Sequence, residues 1–319
     1  MDSKLLNKKL KAAVIGHLIG DALGVPVEFK SRKYLKENPV KSMQGFAQYN
    51  LPPGSWSDDG SLTLCLLESL AVKGYDLNDL ADRFVSWLYE GHLTPTGEAF
   101  GVGRTTETAV SRLKSGVLPF EAGPNGERDN GNGSLMRILP LAFYLLENDP
   151  EDRFKAVEEV SSLTHGHPRA VLACYIYTDF SIRLIKGENI EDAYLECCSH
   201  VEDFLAAGRY GRYGKYKEEL KYYRRIIKED TAELNEGQIN STAYVVDTLE
   251  AFFWVLLNSS SYREAVLMAV NLGLDTDTTA AVTGGPAAIY YGFEDIPKKW
   301  IDQLRHKKEI IALIDKFSF

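Results

Sequence analysis

Residues 271–292 read NLGLDTDTTAAVTGGPAAIYYG, an acidic start followed by a helix of mostly small residues. On one continuous helix of about 3.6 residues per turn, Asp275 and Asp277 would point about 200° apart. They can converge only if Asp275 lies in the preceding turn and Asp277 in the first helical turn, which Gly273 allows. Helix capping explains one of these polar side chains but hardly four in succession. We therefore expect this stretch to be both a core helix and part of a functional site.

A stripe of glycines near the N-terminus is the expected partner of that helix. In GHLIGDALGVPVEF (16–29), glycine recurs at every fourth position. Such a stripe lowers the stability of a helix in water unless another chain segment approaches closely. We expect the small-residue helix after Asp277 to pack here. Asp21, inside the stripe, is expected to cap or support the site.

Helical periodicity extends over most of the remaining chain, whereas the alternation typical of strands is nearly absent. No Pro/Ser-rich linker divides the sequence, so we predict one all-α domain over 1–319. Apolar residues recur at three- and four-residue spacing around 4–23, 59–73, 77–90, 134–147, 151–163, 168–186, 242–257 and 261–272.

Composition narrows the possible functions. The chain has 319 residues, of which 45% are hydrophobic and 25% charged, as in ordinary soluble proteins. Its net charge of −9 argues against a broad electrostatic surface for nucleic acid or anionic membrane. A small phosphorylated ligand is still compatible with this charge, because backbone N–H groups can hold it locally.

The cysteines and the N-terminal segment indicate a cytoplasmic protein. The four cysteines show no C-x-x-C spacing, and we expect all of them to be reduced. His17 and Asp21 interrupt the apolar run that follows the N-terminal lysines. This run therefore predicts an amphipathic helix and not a targeting or transmembrane segment.

A second acidic cluster occurs in SWSDDGS (55–61), directly before an apolar run. Ser57, Asp58 and Asp59 would lie at a helix start, where capping alone could explain them. Two acidic helix starts in one chain, however, suggest that the two meet in space. Four uncompensated carboxylates would repel each other, and a divalent cation removes that problem. Hydroxyl and carboxylate ligands favour Mg²⁺ or Mn²⁺ over Zn²⁺, and the ligands suffice for two ions.

Glycine-rich loops provide candidate phosphate-binding elements. They occupy 49–57, 91–104 and 122–134, and the last runs through GNGSLMR (131–137) into an apolar stretch. Exposed N–H groups at such a helix start can bind phosphate oxygens. The spacing matches neither the Walker A nor the Rossmann pattern. In THGHPRA (164–170), the two histidines indicate ligand contact or capping more than a zinc site.

The segment GRYGRYGKYKEELKYYRR (208–225) interleaves basic residues with tyrosines. This pattern occurs in proteins that bind single-stranded nucleic acid. The acidic chain favours a solvated helix with a glycine-rich lead-in instead. We expect an insertion or partner surface at 208–228.

The motifs GDALGVPVE, SWSDDGS, FGVGRTT, GNGSLMR, THGHPRA and the 271–292 stretch together resemble the ADP-ribosylglycohydrolases, relatives of the dinitrogenase-reductase-activating glycohydrolase. The resemblance runs in the same order from about Gly16 to Gly292. It implies a single orthogonal α-helical domain with two Mg²⁺ or Mn²⁺ ions in a cleft. The implied partners are ADP-ribose and an ADP-ribosylated protein or small molecule.

The resemblance also implies a role for individual residues. The implied metal ligands are Ser57, Asp58, Asp59, Asp275, Asp277 and Thr278. Glu28 matches a glutamate on a loop that lies over the metals and can swing on substrate binding. The residues implied to surround the distal ribose and the diphosphate are Gly101, Val102, Gly103, Asn132, Gly133, Ser134 and Met136, with His165 in contact with the ligand.

Three positions depart from the family pattern. Ser57 and Gly60 stand where the family usually has threonine, and Leu274 stands where it has a second glycine. Serine keeps the hydroxyl, so we expect the metal site to persist. Leu274 is expected to alter the turn or to change the shape of the pocket. No carboxylate is lost, which favours an active enzyme.

The implied reaction removes ADP-ribose from modified protein side chains, arginine first and serine second. A metal-activated water would attack the anomeric carbon of the distal ribose, with Glu28, Asp59 or Asp277 as base. Alternatives are hydrolysis of a free metabolite such as O-acetyl-ADP-ribose, and a non-catalytic ADP-ribose-binding relative. A metal-dependent phosphohydrolase and a purely structural helical protein are further alternatives.

Overall fold

The chain folds into helices joined by turns. The computed structural model describes residues 1–207 and 213–319, and within them it contains no strand. In the first half, the helices are α1 (Ser3–Gly24), α2 (Arg32–Glu37), α3 (Asp58–Lys73), α4 (Leu77–Glu90), α5 (Arg104–Lys114), α6 (Pro119–Ala122), α7 (Leu139–Tyr144) and α8 (Pro150–Ser162). In the second half, they are α9 (Pro168–Lys186), α10 (Ile190–Ala207), α11 (Gly214–Glu219), α12 (Arg224–Lys228), α13 (Val245–Leu257), α14 (Tyr262–Asn271), α15 (Thr276–Tyr291), α16 (Lys298–Gln303) and α17 (Lys307–Ile314).

The glycine stripe of α1 packs against α15 with the two backbones in contact. A β-carbon on Gly20 would lie 2.1 Å from the carbonyl oxygen of Ala280. One on Gly24 would lie 2.4 Å from the Cα of Asp277. The predicted partner of the stripe is therefore confirmed, and the lowered helix propensity of glycine is offset by this close approach.

The prediction of a single all-α domain is confirmed, and one hydrophobic core runs through it. Most of the predicted helices agree with the structure to within about three residues, which is the usual uncertainty at helix ends. The segment 134–147 is the exception, because turns occupy its first part and α7 covers only Leu139–Tyr144. Proline is favoured in a first helical turn, so Pro140 is consistent with the late start. The helices that were not predicted are α2, α5, α6, α10, α16 and α17.

Helix α1 is long and largely buried. With the turn that follows it, the segment Ser3–Val27 is long and apolar enough to cross a membrane by length and composition. In this fold, 94% of its apolar window is buried inside the protein, which is typical of a core helix. All four cysteines are buried and free.

The basic and tyrosine-rich segment is packed onto the domain wherever it is described. Its first five residues, 208–212, lie outside the described residues. Tyr223 is fully buried, and its hydroxyl donates to the carbonyl oxygen of Arg169 at 2.6 Å. Ile226 is also buried, and its carbonyl accepts a hydrogen bond from Tyr194. The predicted solvated helix is therefore confirmed only in part for 213–225, because the lysines of its short helical turns are exposed whereas Tyr216 and Tyr223 are buried. The prediction of an insertion or partner surface stays a prediction.

Candidate active site

The two acidic helix starts lie side by side. Ser57 is the N-cap of α3, and Asp275 is the N-cap of α15. Asp277 lies in the first turn of α15, as the spacing predicts. The hydroxyl of Thr278 donates to Oδ2 of Asp59 at 3.2 Å, which joins the two helix starts directly.

Asp21, on α1, orients the start of α3 through hydrogen bonds. Its carboxylate accepts hydrogen bonds from the N–H groups of Ser57 at 3.0 Å and Gly60 at 2.8 Å. Burial raises the pKa of Asp21 to about 7, while these hydrogen bonds lower it. The glycine stripe thus presents an acidic residue that satisfies two N–H groups at the α3 start, in agreement with its expected supporting role.

Glu28 completes the acidic group from a third chain segment. It follows a 3₁₀ turn at Val25–Val27, and its carboxylate lies with those of Asp275 and Asp277 so that one oxygen of each falls within 4.8 Å of the others. The Tyr49 hydroxyl donates to Oε2 of Glu28 at 2.5 Å. Tyr49 belongs to a loop singled out by its glycine and prolines, but no pattern in the sequence indicated this contact.

The electrostatics of the group are those of an uncompensated acidic cluster. Burial, then the charge of Asp21, raises the pKa of Asp58 and of Asp59 well above the usual range. Burial, then the charge of Glu28, does the same for the pKa of Asp277. Among the residues that the structure describes, these carboxylates form no ion pair with lysine, arginine or histidine.

These residues fit a divalent cation. Oδ1 of Asp59 is buried and has no hydrogen-bond partner in the described part of the chain. An orphaned carboxylate oxygen among close like charges is costly unless a cation binds it. All the available donors are oxygens, which suits Mg²⁺ or Mn²⁺.

The acidic group forms one end of a cleft of about 570 Å³. The predicted residues that line its acidic side are Glu28, Asp58, Asp59, Asp275, Asp277 and Thr278. The predicted residues that line the remaining wall are Gly101, Val102, Gly103, Asn132, Gly133, Met136 and His165. Positions from six separate stretches of sequence therefore meet in one cavity.

Two of the predicted positions do not line this cleft. Ser134 is fully buried, and its hydroxyl accepts a hydrogen bond from Ser161 at 2.9 Å on the interior side of the loop. From this position only the backbone of Ser134 could contact a ligand, and its place in the binding loop stays a prediction. Ser57 lies just beneath the cleft, where its hydroxyl donates to Oδ2 of Asp59 at 3.2 Å.

The glycines of the two loops are required by close approach. Gly101 has a φ of 75°, and a β-carbon there would lie 2.9 Å from Oδ1 of Asp58. A β-carbon on Gly133 would lie 2.7 Å from Cε1 of His165. Helix α5 begins at Arg104 without a side-chain cap, so N–H groups of its first turn are available at the cleft.

Asn132 links the glycine loop to the acidic group. Its amide nitrogen donates to Oδ2 of Asp275 at 2.6 Å and to the Thr248 hydroxyl at 2.8 Å. His165 hydrogen-bonds Thr164, and burial lowers its pKa to about 3. The histidine is therefore a neutral polar group in the cleft wall at physiological pH.

The departure at Leu274 keeps the backbone shape of a glycine. Leu274 has a φ of 61°, in the left-handed region that glycine favours, and it lines the cleft. Its carbonyl accepts from the Phe29 N–H at 2.7 Å, and its N–H donates to the Lys30 carbonyl at 2.7 Å. The turn is thus preserved, and the change adds an apolar side chain to the cleft.

The departure at Gly60 has a steric reason. A β-carbon there would lie 2.6 Å from Cδ2 of Leu18 and 2.6 Å from Cδ1 of Trp56. The buried indole of Trp56 therefore occupies the space that a threonine side chain would need.

Sequence reasoning missed several residues of the cleft. The pattern gave no reason to select side chains on the segment before α13 or in the first turn of α5. Thr105 and Thr106 lie in the first turn of α5, and Thr242 and Ala243 lie before α13. Phe29, next to Glu28, was also missed. His167, by contrast, caps α9 by accepting from the Arg169 N–H at 3.1 Å, which is one of the two roles expected for it.

Comparison with known proteins places this site in context. The sequence profile of the ADP-ribosylglycohydrolases matches residues 2–318. ADP-ribosylarginine hydrolase Tri1 of Serratia proteamaculans is 32% identical over 313 residues, which cover 98% of this chain and 79% of that protein. The ADP-ribosyl-[dinitrogen reductase] glycohydrolase of Rhodospirillum rubrum is 29% identical over 313 residues, covering 97% of this chain and 94% of the relative.

A solved structure has a similar fold. It is described as an ADP-ribosylglycohydrolase-related protein complex and superimposes with a TM-score of 0.78 at 31% identity. The match covers 98% of each chain. The resemblance drawn from the motifs is confirmed.

Proposed function

Because the chain belongs to the ADP-ribosylglycohydrolase family, we propose that it is a metal-dependent hydrolase that removes ADP-ribose from ADP-ribosylated arginine side chains of proteins. The observation that carries the proposal is the buried acidic group of Glu28, Asp59, Asp275 and Asp277, which has no cationic partner among the described residues. The similarity to a relative named ADP-ribosylarginine hydrolase supports arginine as the acceptor.

Two metal ions would be held by oxygens from both helix starts. Their ligands would be Ser57, Asp58, Asp59, Asp275, Asp277 and Thr278. Bound Mg²⁺ or Mn²⁺ lowers the pKa of a coordinated water and orients ribose hydroxyls. Asp21 and Asn132 would not bind the metals themselves. They would orient the ligands, because Asp21 holds the start of α3 and Asn132 holds Asp275 in place.

Glu28 is our choice of general base. Without metal, burial raises its pKa to about 7, while the hydrogen bond from Tyr49 lowers it. When deprotonated, its carboxylate can accept a proton from water. It lines the cleft beside Asp275 and Asp277. Water would add to the anomeric carbon of the distal ribose while the bond from that carbon to the arginine nitrogen breaks. Glu28 would accept the water proton, and the leaving guanidino group would gain one.

The remaining wall would hold the rest of ADP-ribose. Uncapped N–H groups at the start of α5 and the backbone around Gly133 offer donors to the diphosphate. Neutral His165 can exchange hydrogen bonds with the ligand without adding charge. The cleft volume of about 570 Å³ is within the usual range of small-ligand sites.

Release of free ADP-ribose tests the proposal. Arginine- and serine-ADP-ribosylated peptides are incubated with the protein in Mg²⁺, in Mn²⁺ and in chelator. We expect metal-dependent release from the arginine peptide, and none with Asp59→Asn. Release from the serine peptide alone would reassign the acceptor. Tight ADP-ribose binding with release from neither peptide would favour a metabolite substrate or a non-catalytic relative.

A further inference from the structure

A buried arginine lies directly behind the glycine loop of the cleft. Arg137 is 0% exposed, and its side chain points into the interior. One terminal nitrogen donates to the carbonyl oxygen of Gly133, and the other donates to that of Val160 at 3.0 Å. The guanidinium lies over the ring of Phe84, with 4.9 Å between Cζ and the ring centroid.

Arg137 forms no direct ion pair in the described part of the chain, although the charge of Asp58 acts on it and opposes the lowering of its pKa by burial. Among the same residues, its Nε has no hydrogen-bond partner. Burial lowers its pKa to about 10, which still leaves the side chain charged at neutral pH. Burying an unpaired cation costs several kcal/mol in general. Two carbonyl contacts and one ring offset only part of that cost.

Other cations around the cleft differ from Arg137 in this respect. Arg104 lies at the rim, where it is exposed and paired with Asp129 at 2.9 Å. Arg169 is buried but paired with Glu127 at 2.9 Å and Glu219 at 2.7 Å. Unlike these two arginines, Arg137 forms no direct ion pair with an acid among the described residues.

The field of Arg137 reaches the wall of the cleft formed by the glycine loop and His165. Gly133 and His165 both line the cleft, and the charge of Arg137 helps to depress the pKa of His165. In a trans peptide the C=O and N–H groups point in opposite directions. The hydrogen bond from Arg137 to the Gly133 carbonyl therefore turns the Ser134 N–H away from the interior.

From this arrangement, we infer that Arg137 is a positioning residue that makes the Gly131–Ser134 loop selective for the diphosphate of the ligand. It acts without touching the ligand, by fixing the Gly133 peptide and by supplying a positive charge behind it. The ligand's anion would be a closer counterion than any acid among the described residues provides. The inference rests on the proposed function, because it takes ADP-ribose as the ligand of this cleft.

The test compares binding of ADP with binding of adenosine, which has no phosphate. Isothermal titration calorimetry is run on the full-length protein in Mg²⁺ with wild type, Arg137→Gln and Arg137→Lys. Glutamine keeps a hydrogen-bond donor and removes the charge. We expect Arg137→Gln to weaken ADP binding about tenfold or more and adenosine binding less than about threefold. Arg137→Lys, which keeps the charge, should retain most of the preference for ADP.

Arg169→Gln is the matched control. Its charge is already cancelled by two glutamates, so its loss should leave the ratio of ADP to adenosine affinity unchanged. Equal weakening of both ligands in Arg137→Gln would show a merely structural role and overturn the inference. If that variant does not fold, loss of the ADP preference in a folded Arg137→Lys protein would overturn it, and retention would support it.

The same titrations separate this inference from the proposed function. Selective ADP binding that depends on Arg137, without release of ADP-ribose from the arginine peptide, would support the inference and refute the hydrolysis. Release from that peptide by a wild type that binds ADP no better than adenosine would refute the inference and leave the hydrolysis standing.

Discussion

Gly20 and Ala280 meet backbone to backbone, so that a β-carbon on Gly20 would lie 2.1 Å from the Ala280 carbonyl oxygen. This contact fixes the distance between α1 and α15. One turn away, α1 carries Gly24 against Asp277, and between them it carries Asp21, which orients the start of α3. The same stripe therefore sets both the packing of the core and the spacing of the two acidic helix starts.

Gly20→Ala should damage stability and activity together. The added methyl group cannot fit without separating α1 from α15, and overpacking of this kind costs about 3 kcal/mol or less in most cores. We expect a clear fall in the melting temperature and a loss of turnover larger than the loss of folded protein. Calorimetry and ADP-ribose release measure the two effects.

Gly237→Ala provides the control for that variant. Gly237 is exposed, and a β-carbon there would meet nothing within 4 Å. Gly237→Ala should change the free energy of unfolding by no more than about 0.5 kcal/mol. A Gly20→Ala protein as stable and active as this control would contradict the role we give to the stripe.

Asp277→Asn should raise the stability of the metal-free protein and lower turnover. The change removes one buried charge from a group of like charges, so the metal-free protein should become more stable. Turnover should fall by about 10³-fold or more, because a proposed metal ligand is lost. Melting curves in chelator and ADP-ribose release in Mg²⁺ provide the readouts. Asp82→Asn, an exposed change on α4, should alter neither.

Much of the fold followed from local patterns. The glycine stripe and the small-residue helix could be paired from sequence, since only a close approach of backbones explains both. Helix α7 could not be bounded in the same way, because the apolar residues from Leu135 onward suit a buried turn as well as a helix. The polar helix α5 was missed because only Ala109, Val110 and Leu113 on its buried face are apolar, although they lie at helical spacing.

The active site could likewise be predicted only in part. The acidic residues were predictable, because two charged helix starts in one chain need a common explanation. Contacts between distant segments were not, and the hydrogen bond from Tyr49 to Glu28 is the clearest example. The inward direction of the Ser134 side chain could not be predicted, because a motif fixes the order of residues but not the direction of each side chain.

Leu274→Gly should stabilise the protein and alter substrate binding. Leu274 is held at a φ of 61°, where a residue with a β-carbon is disfavoured by about 1–2 kcal/mol. Part of that gain is offset by the greater entropy of glycine in the unfolded chain, so we expect a net gain of about 0.5–1 kcal/mol. Loss of the apolar side chain from the cleft should raise KM with little change in kcat.

Gly273→Ala is the matched change at the neighbouring position. Gly273 has a φ of 83°, and a β-carbon there would lie 2.6 Å from the Arg32 nitrogen. This variant should be destabilised. A Leu274→Gly protein that loses stability as well would show that the leucine side chain contributes more to packing than its backbone strain costs.

The stability of the metal-free protein should fall as the pH rises from 5 to 8. Burial raises the pKa of Asp21 from 3.8 and that of Glu28 from 4.5 to about 7 in each case. The folded state then holds protons that the unfolded state has already released, so the free energy of unfolding decreases as the pH passes through about 7.

Metal ligands must be deprotonated to bind, so the rise in melting temperature on adding Mg²⁺ should grow over the same interval. Melting curves at four pH values, in chelator and in Mg²⁺, measure both trends. In Asp277→Asn both trends should be weaker, because one member of the acidic group is missing. A metal-free protein whose stability rises with pH would mean that the carboxylates already have a cationic partner in solution.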